Sequence, residues 1–312
     1  MNQIIIISDV IKWIEKNLES PISIDVVAKK SGYSKWYLQR MFKKVTGRIL
    51  GGYIRHRRLT YAALVLKLTC KPILDIAMQY RFNSQQTFTR SFKKQFTMTP
   101  ASYRRSELWD TSGLMPAIEL YKVPLLVAMP KIMDIEEQVF WGVSYKSCRN
   151  LDELLNEKQA FRRDFFSDYL KKYIKSKENF PSQIFSFRQP KPNRDNPDEQ
   201  EVIYTMALKE QRNIDGIAQF ILPSCRYAVF KYIGPVSTFW DFIAQIYLEM
   251  LPRLGMKRQK RPVIEIFRHC DKYNFSHGVL QVPDEIECDY CVPIEAKGDA
   301  ISELEQIEAN LS

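Results

Sequence analysis

Trp36, Gln39, Arg40 and Lys43 place an indole, an amide and two cations at helical spacing. Each has a defined use on nucleic acid. A guanidinium can donate twice to guanine O6 and N7, and an amide can serve adenine in the same bidentate way. An aromatic ring can lie on a thymine methyl or a sugar, and an ammonium suits phosphate. The same stretch carries Leu38, Met41, Phe42 and Val45 at i, i+3, i+4 and i+7, which makes one apolar helix face opposite the polar row. Ser34 is placed to cap the start of that helix and Gly47 to end it in the left-handed region. By itself the row also fits a solvated face with one stray tryptophan, so the surrounding elements decide.

Upstream, the run Ser23 to Lys30 reads as a short capped helix, and Ser31-Gly32-Tyr33 as a tight turn before the helix that starts after Ser34. Helix, glycine-containing turn and second helix form the helix-turn-helix pattern, whose second helix lies in the major groove with its N-terminal residues at base edges. A first helix is expected over Ser8 to Leu18, burying Val10, Ile11, Ile14 and Leu18 and ended by Pro21. Charge agrees with a polyanion partner. Of 46 Lys and Arg and 36 Asp and Glu, residues 1–109 hold 20 and 6, a net of +14, so the remainder is mildly acidic at −4. The expected partner is double-stranded DNA, bound by the N-terminal part alone.

The pattern then repeats. A long helix over Leu50 to Thr69 is closed by Lys71-Pro72. Ile73, Ile76 and Ala77 begin a second short helix, Arg81-Phe82-Asn83 stand at its turn, and Ser84 to Phe96 form a second recognition helix. At an offset of 50 residues, Arg40, Phe42, Lys43, Lys44, Tyr53 and Arg55 meet Arg90, Phe92, Lys93, Lys94, Tyr103 and Arg105. One polypeptide with two recognition helices is expected to bind as a monomer to an asymmetric site, reaching two major grooves about 34 Å apart. Arg40 and Gln39 are assigned to base edges and Trp36 to a methyl or sugar. Gln85, Gln86 and Thr87, at the start of the second helix, are also placed for bases but discriminate less. Lys35, Lys43, Arg55, Thr89, Arg90, Lys93 and Arg105 are assigned to phosphate, so the first unit is expected to dominate specificity.

These residues carry a resemblance. Ala28-x3-Gly32-Tyr33-Ser34, Arg40-x-Phe42-Lys43-Lys44 and Gly47, followed by Ile76-Ala77, Arg90-x-Phe92-Lys93-Lys94 and Thr99-Pro100-x2-Tyr103, resemble the AraC/XylS family of bacterial transcription activators. Gly32-Tyr33-Ser34-Lys35-Trp36, Gln79-Tyr80-Arg81-Phe82 and the run Ser84 to Arg90 are similar to its Rob/MarA/SoxS subgroup. Two positions depart from the wider family: Arg81 stands where a turn glycine is usual, and Thr97 replaces the glycine matched by Gly47. The resemblance implies an activator of stress or multidrug-resistance genes that works with RNA polymerase. An architectural, nucleoid-type protein with little gene specificity is the alternative.

Beyond residue 109 the pattern changes. Residues 110–119 read as a linker, 120–294 as a second domain and 295–312 as an acidic tail. Strands are expected at 138–145, 183–187, 201–208, 226–232, 263–267 and 287–294, with helices at 152–174 and 236–251 and a mobile loop at 189–200. Strand, helix, strand, strand thus occurs twice, giving an α+β domain with a largely antiparallel sheet. This order and the ending Asp289-x2-Val292-Pro293-Ile294 are similar to GyrI-like effector domains. That resemblance implies an amphipathic small-molecule ligand, with Asp289 as a buried carboxylate and Tyr204, Trp240 and Trp141 as aromatic walls.

Other chemistry finds no support. Cys288 and Cys291 are three apart on an expected strand and so point to opposite faces. His56, His269 and His277 are isolated, and no phosphate loop or nucleophile elbow occurs. No metal, cofactor or enzymatic activity is expected. Nor is a membrane span, since no run approaches about 20 apolar residues. The scattered cysteines suit reduced thiols in a bacterial cytoplasm.

Overall fold

Ser23, Ser34, Ser84 and Thr99 each accept a hydrogen bond from the backbone amide three residues on, at 3.2–3.3 Å. These side chains satisfy amides that a helix start leaves unpaired, which is why the chain turns helical at those places. They begin four of the helices in a computed structural model. It describes residues 3–121, 127–150, 153, 181–210, 216–270, 274–276, 279–281 and 284–295. The helices of the N-terminal part are α1 (Gln3–Glu15), α2 (Ile24–Ser31), α3 (Lys35–Thr46), α4 (Leu50–Leu68), α5 (Ile73–Gln79), α6 (Gln85–Phe96) and α7 (Pro100–Arg105). The first helix starts before the expected Ser8, because Ile7 joins Val10, Ile11 and Ile14 on the buried face, and it ends at Glu15, short of the expected Leu18.

Two cores hold these helices. In the first, Ile7, Ile11 and Ile14 of α1 pack with Leu38, Met41 and Phe42 of α3 and with Leu50 and Tyr53 of α4. In the second, Phe82, Phe88, Phe92, Phe96 and Tyr103 form a chain of ring contacts 4.4–5.5 Å apart. Each fully buried phenylalanine contributes roughly 1.5–3 kcal/mol, so the periodic Phe88, Phe92 and Phe96 face suffices to fix α6 on its neighbours.

The two helix-turn-helix units differ at their turns. Gly32 and Gly47 end α2 and α3 with φ of 74° and 71°. Arg81 and Thr97 adopt the same left-handed region, both at 62°, although neither is glycine. The departures seen in the sequence therefore keep the left-handed closures at a local cost of about 1–2 kcal/mol each. Tyr33 and Phe82 return their amides to Ala28 and Ala77, an offset of 49, whereas the caps Ser34 and Ser84 are 50 apart. The second turn is thus one residue longer.

The chain divides into two compact units: Met1–Ser106 with Gly113–Pro124, and Glu107–Ser112 with the remainder. The stretch expected as a linker is therefore not a free tether. Residues 110–112 belong to the second unit, directly after β1 (Leu108–Trp109), which pairs with β8 (Lys257–Gln259). The next residues form a strap on the first unit. Met115 donates its amide to Thr60 Oγ1 at 3.0 Å and its carbonyl accepts from Arg57 Nη1, while Gly113 O accepts from Gln95 at 2.8 Å. Any side chain at Gly113 would meet the Phe96 ring. Arg57 is buried, and its guanidinium pairs with Glu15 at 2.8–3.1 Å. Burial alone would lower the Arg57 pKa, but Glu15 outweighs it and raises it. Burial and the Glu15 carboxylate together keep the Tyr53 phenol above its ordinary range, so it remains a donor to Glu15 at 2.6 Å.

In the second unit the strands after β1 are β2 (Lys131–Ile135), β3 (Gln138–Asn150), β4 (Gln183–Pro192), β5 (Glu199–Leu208), β6 (Ala218–Leu222) and β7 (Cys225–Pro235). After β8 come β9 (Val263–Arg268), the separate hairpin β10 (Asn274–Ser276) and β11 (Val279–Gln281), and β12 (Glu285–Glu295). The ten-stranded sheet runs β1-β8-β12-β9-β4-β5-β3-β6, with β7 also on β12 and β2 on β7. All its pairings are antiparallel. A helical run crosses one face as a 3-10 turn (Val236–Thr238), α8 (Phe239–Gln245), a π-turn (Ile246–Met250) and α9 (Leu251–Arg253). The helix expected at 152–174, apart from Glu153, and the tail from 296 onward lie outside the described residues.

The loop expected at 189–200 is shorter than its composition suggests. Pro190 and Pro192 lie in β4 opposite Val202 and Gln200, beyond the last β9 pairing at Arg188, so their missing amides face an open edge. Asn193 and Asn196 close the turn by donating to Glu199 at 3.2 and 2.9 Å.

Candidate nucleic-acid interface and effector site

The polar row of α3 stands free of the core. Trp36 is 67 % exposed, Arg40 and Lys43 are exposed, and Gln39 is half-buried. Leu38, Met41 and Phe42 are buried on the opposite face, which fixes the rotation of the helix. The Arg40 guanidinium lies 5.3 Å from the centre of the Trp36 ring, one turn away, so the ring holds the cation extended from the helix. Tyr37 stacks on Tyr33 at 5.4 Å and steadies the start of the helix.

On α6 the matching row is Gln86, Thr89, Arg90 and Lys93, all exposed except half-buried Thr89. No aromatic ring stands in it. Gln85 and Thr87 are also exposed at the helix start, but the Thr87 hydroxyl is engaged 3.0 Å from Ser84 Oγ. Arg55 and Arg105 are exposed as well. Lys35 forms an ion pair with Asp25 at 3.0 Å, and both side chains are open to solvent. Such a pair contributes little and can exchange for phosphate. Arg104, next to Arg105, is instead structural: it donates to the carbonyls of Leu66 and Lys71, and burial lowers its pKa.

The second unit does not bring together the four residues expected to bind an effector. Side chains alternate across a sheet, and register assigns the faces. Glu265 lies opposite Tyr290 and Ser186, while Asp289 lies opposite Ile266. Asp289 is therefore on the other face from Tyr204, and Arg268 neutralises it at 2.5–2.7 Å. The carboxylate that does share the face of Tyr204 is Glu265, 0 % exposed, which accepts from the Tyr204 hydroxyl at 2.8 Å. That hydroxyl is also 3.0 Å from Ser186 Oγ. Trp240 of α8 packs against this same core, and the Arg188 guanidinium lies 5.8 Å from its ring centre. Trp141 is half-buried on the same face, paired with Leu208. The sequence signal for Glu265 was a lone acid inside Val263-Ile264-Glu265-Ile266-Phe267, since an acid in an apolar strand persists only with a partner or a task.

Cys288 and Cys291 fall in separate cores on opposite sheet faces. Among the described residues no group of His, Cys, Asp and Glu is arranged to hold a metal ion, and no helix is long and apolar enough to cross a membrane.

Two capped helix-turn-helix units with exposed cationic rows, followed by an antiparallel sheet with a buried carboxylate, define a DNA-binding regulator with an appended sensor-type domain. Comparison with known proteins agrees. Residues 27–106 match the helix-turn-helix domain family, and residues 164–295 match the GyrI-like small molecule binding domain. The chain is 39 % identical over 298 residues to the transcriptional regulator Rob of Salmonella typhimurium, covering 94 % of this chain and 99 % of that protein. It is 38 % identical over 300 residues to the right origin-binding protein of Escherichia coli, with the same coverage of both chains. The regulatory protein SoxS of Escherichia coli is 60 % identical over 99 residues, 32 % of this chain and 92 % of SoxS. The chain belongs to the AraC/XylS family of transcriptional regulators, in its Rob-like branch with a C-terminal GyrI-like domain. Its relatives are regulators, not enzymes.

Proposed function

We propose that the chain is a transcription activator that binds an asymmetric DNA site as a monomer, with α3 and α6 in successive major grooves. The exposed Trp36, Gln39 and Arg40 row, set opposite a buried apolar face and repeated in part on α6, carries this reading. In it Arg40 and Gln39 read bases and Trp36 takes a methyl or sugar. Gln85, Gln86 and Thr87 add weaker base contacts, while Lys35, Lys43, Arg55, Thr89, Arg90, Lys93 and Arg105 hold phosphate. The protein then recruits RNA polymerase at stress or resistance genes in the cytoplasm. Selection of duplexes from a random-sequence library by the full-length protein tests the reading. Two unlike half-sites about one helical turn apart are expected, and a palindrome or absence of any preferred sequence would overturn it.

The GyrI-like domain senses an amphipathic cation, with Glu265 supplying the charge and Tyr204 and Trp240 the apolar and π contacts. Titration with a lipophilic cationic dye tests this choice of carboxylate. Glu265→Gln is expected to weaken binding at least tenfold and Asp289→Asn to leave it nearly unchanged; the reverse ranking would return the site to the other face of the sheet.

A further inference from the structure

A cleft of about 630 Å3 lies within the first unit, between the start of α2, one side of α4 and the start of α6. Ser23 borders it from α2, Arg55 and Arg58 from α4, Arg81 from the turn before α6, and Arg90 from α6; no Asp or Glu lines it. Arg58 is held in place by the carbonyls of Leu18 and Ser20, both at 2.8 Å, and Arg81 by the carbonyl of Glu19. These bonds orient the cations without neutralising them. The nearby Glu19 carboxylate is taken by the Gln79 amide at 2.6 Å, and Asp25 is turned to Lys35. Burial and the charge of Arg81 push the Arg58 pKa down, as crowded cations require. Arg81 also sits in the left-handed region, where glycine would be easier. The second helix-turn-helix unit thus accepts backbone strain at a position whose side chain lines the cleft.

We propose that this cleft is a phosphodiester seat, in which Arg58 and Arg81, with Arg55 and Arg90, clamp the DNA strand passing between the two recognition helices. The proposal rests on the reading that both units engage one duplex, and it adds residues and a place to that reading. The cleft joins elements of both helix-turn-helix units through α4, so one phosphate seated there fixes their common register on DNA. It carries no base information, because every nucleotide offers the same phosphate.

Arg81→Gly provides the test, since glycine favours the turn while removing the cation. The probe is the tightest duplex that the full-length protein selects, with each phosphate replaced in turn by a neutral methylphosphonate. Wild-type binding is expected to fall several-fold at one or two phosphates lying outside the base-contacted half-sites. Arg81→Gly is expected to weaken the unmodified duplex by a similar factor, to lower the slope of log K against log salt by about one, and to lose part of the sensitivity to those same replacements. An unchanged slope, or full sensitivity of the variant to every replacement, would overturn the seat. Base substitutions in each half-site report on the two-groove reading separately, so the two can fail independently. Inorganic pyrophosphate titrated into DNA-free protein separates the sources of phosphate. Micromolar binding without any coupling on DNA would assign the cleft to a free anion and reject the DNA seat.

Discussion

The two helix-turn-helix units share a scaffold and differ in how they use it. The first closes both of its turns with glycine and projects a tryptophan, an amide and an arginine from α3. The second closes the equivalent turns with Arg81 and Thr97 and projects glutamines, threonines and cations from α6. A relaxed backbone under an aromatic-supported arginine suits reading. A strained turn that contributes a guanidinium, beside a row without an aromatic, suits gripping. The two units are thus two copies of one frame that differ at a few exposed or turn positions, and the proposed division into reader and grip rests on those differences.

The largest test of that contrast concerns how the units are anchored. In the first, buried Arg57 of α4 pairs with Glu15 of α1 and donates to the Met115 carbonyl of the strap; in the second, Arg104 of α7 donates to the Leu66 and Lys71 carbonyls. Arg57→Ala leaves Glu15 with only the Tyr53 hydroxyl and the Met115 carbonyl without its donor, and is expected to lower stability by about 3 kcal/mol. Arg104→Ala should cost about 1–2 kcal/mol. Urea unfolding followed by helical circular dichroism ranks the two, and equal losses would remove the asymmetry.

Next comes recognition itself. Arg40→Ala is expected to cost about 1–3 kcal/mol on the selected duplex and much less on random DNA. Arg90→Ala should weaken both similarly and lower the salt slope by about one unit. Should Arg90→Ala instead show the larger sequence-dependent loss, the assignment of reader and grip would be inverted. Trp36→Ala sharpens the point: losing the ring beneath Arg40 should cost about 0.5–1 kcal/mol on the selected duplex.

The smallest effect is a reciprocal exchange at the recognition-helix ends. Thr97→Gly relieves a β-branched residue at positive φ and is expected to stabilise by about 0.5–1 kcal/mol, while Gly47→Thr should destabilise by about 1–2 kcal/mol. Thermal unfolding of the pair, read on the helical signal, checks the opposite signs.

Much of the helical part was legible because its determinants are local. Ser23, Ser34 and Ser84 announce their helices by capping, and the Leu38, Met41, Phe42 spacing sets which face of α3 is buried whatever the rest of the chain does. The strap was not legible. A stretch such as Asp110-Thr111-Ser112-Gly113 has turn composition whether it is free or fastened, and the groups that fasten it, Arg57, Thr60 and Gln95, are distant in sequence. The Pro190 and Pro192 segment misled for a related reason, since proline excludes a central strand position but not an unpaired edge.

The sequence by itself determined two helix-turn-helix units, their pairing by repetition, the basic sign of the first third and the places of six strands in the C-terminal part. Periodicity, capping and charge are all properties of neighbours along the chain. Tertiary structure alone decided which carboxylate shares a face with Tyr204. A one-residue change of strand position reverses the face, and only the pairing of Glu265 with Ser186 and of Asp289 with Ile266 fixes it. It also decided that Arg55, Arg58, Arg81 and Arg90 border one cleft, because they come from two helices and a turn whose meeting depends on packing rather than on spacing.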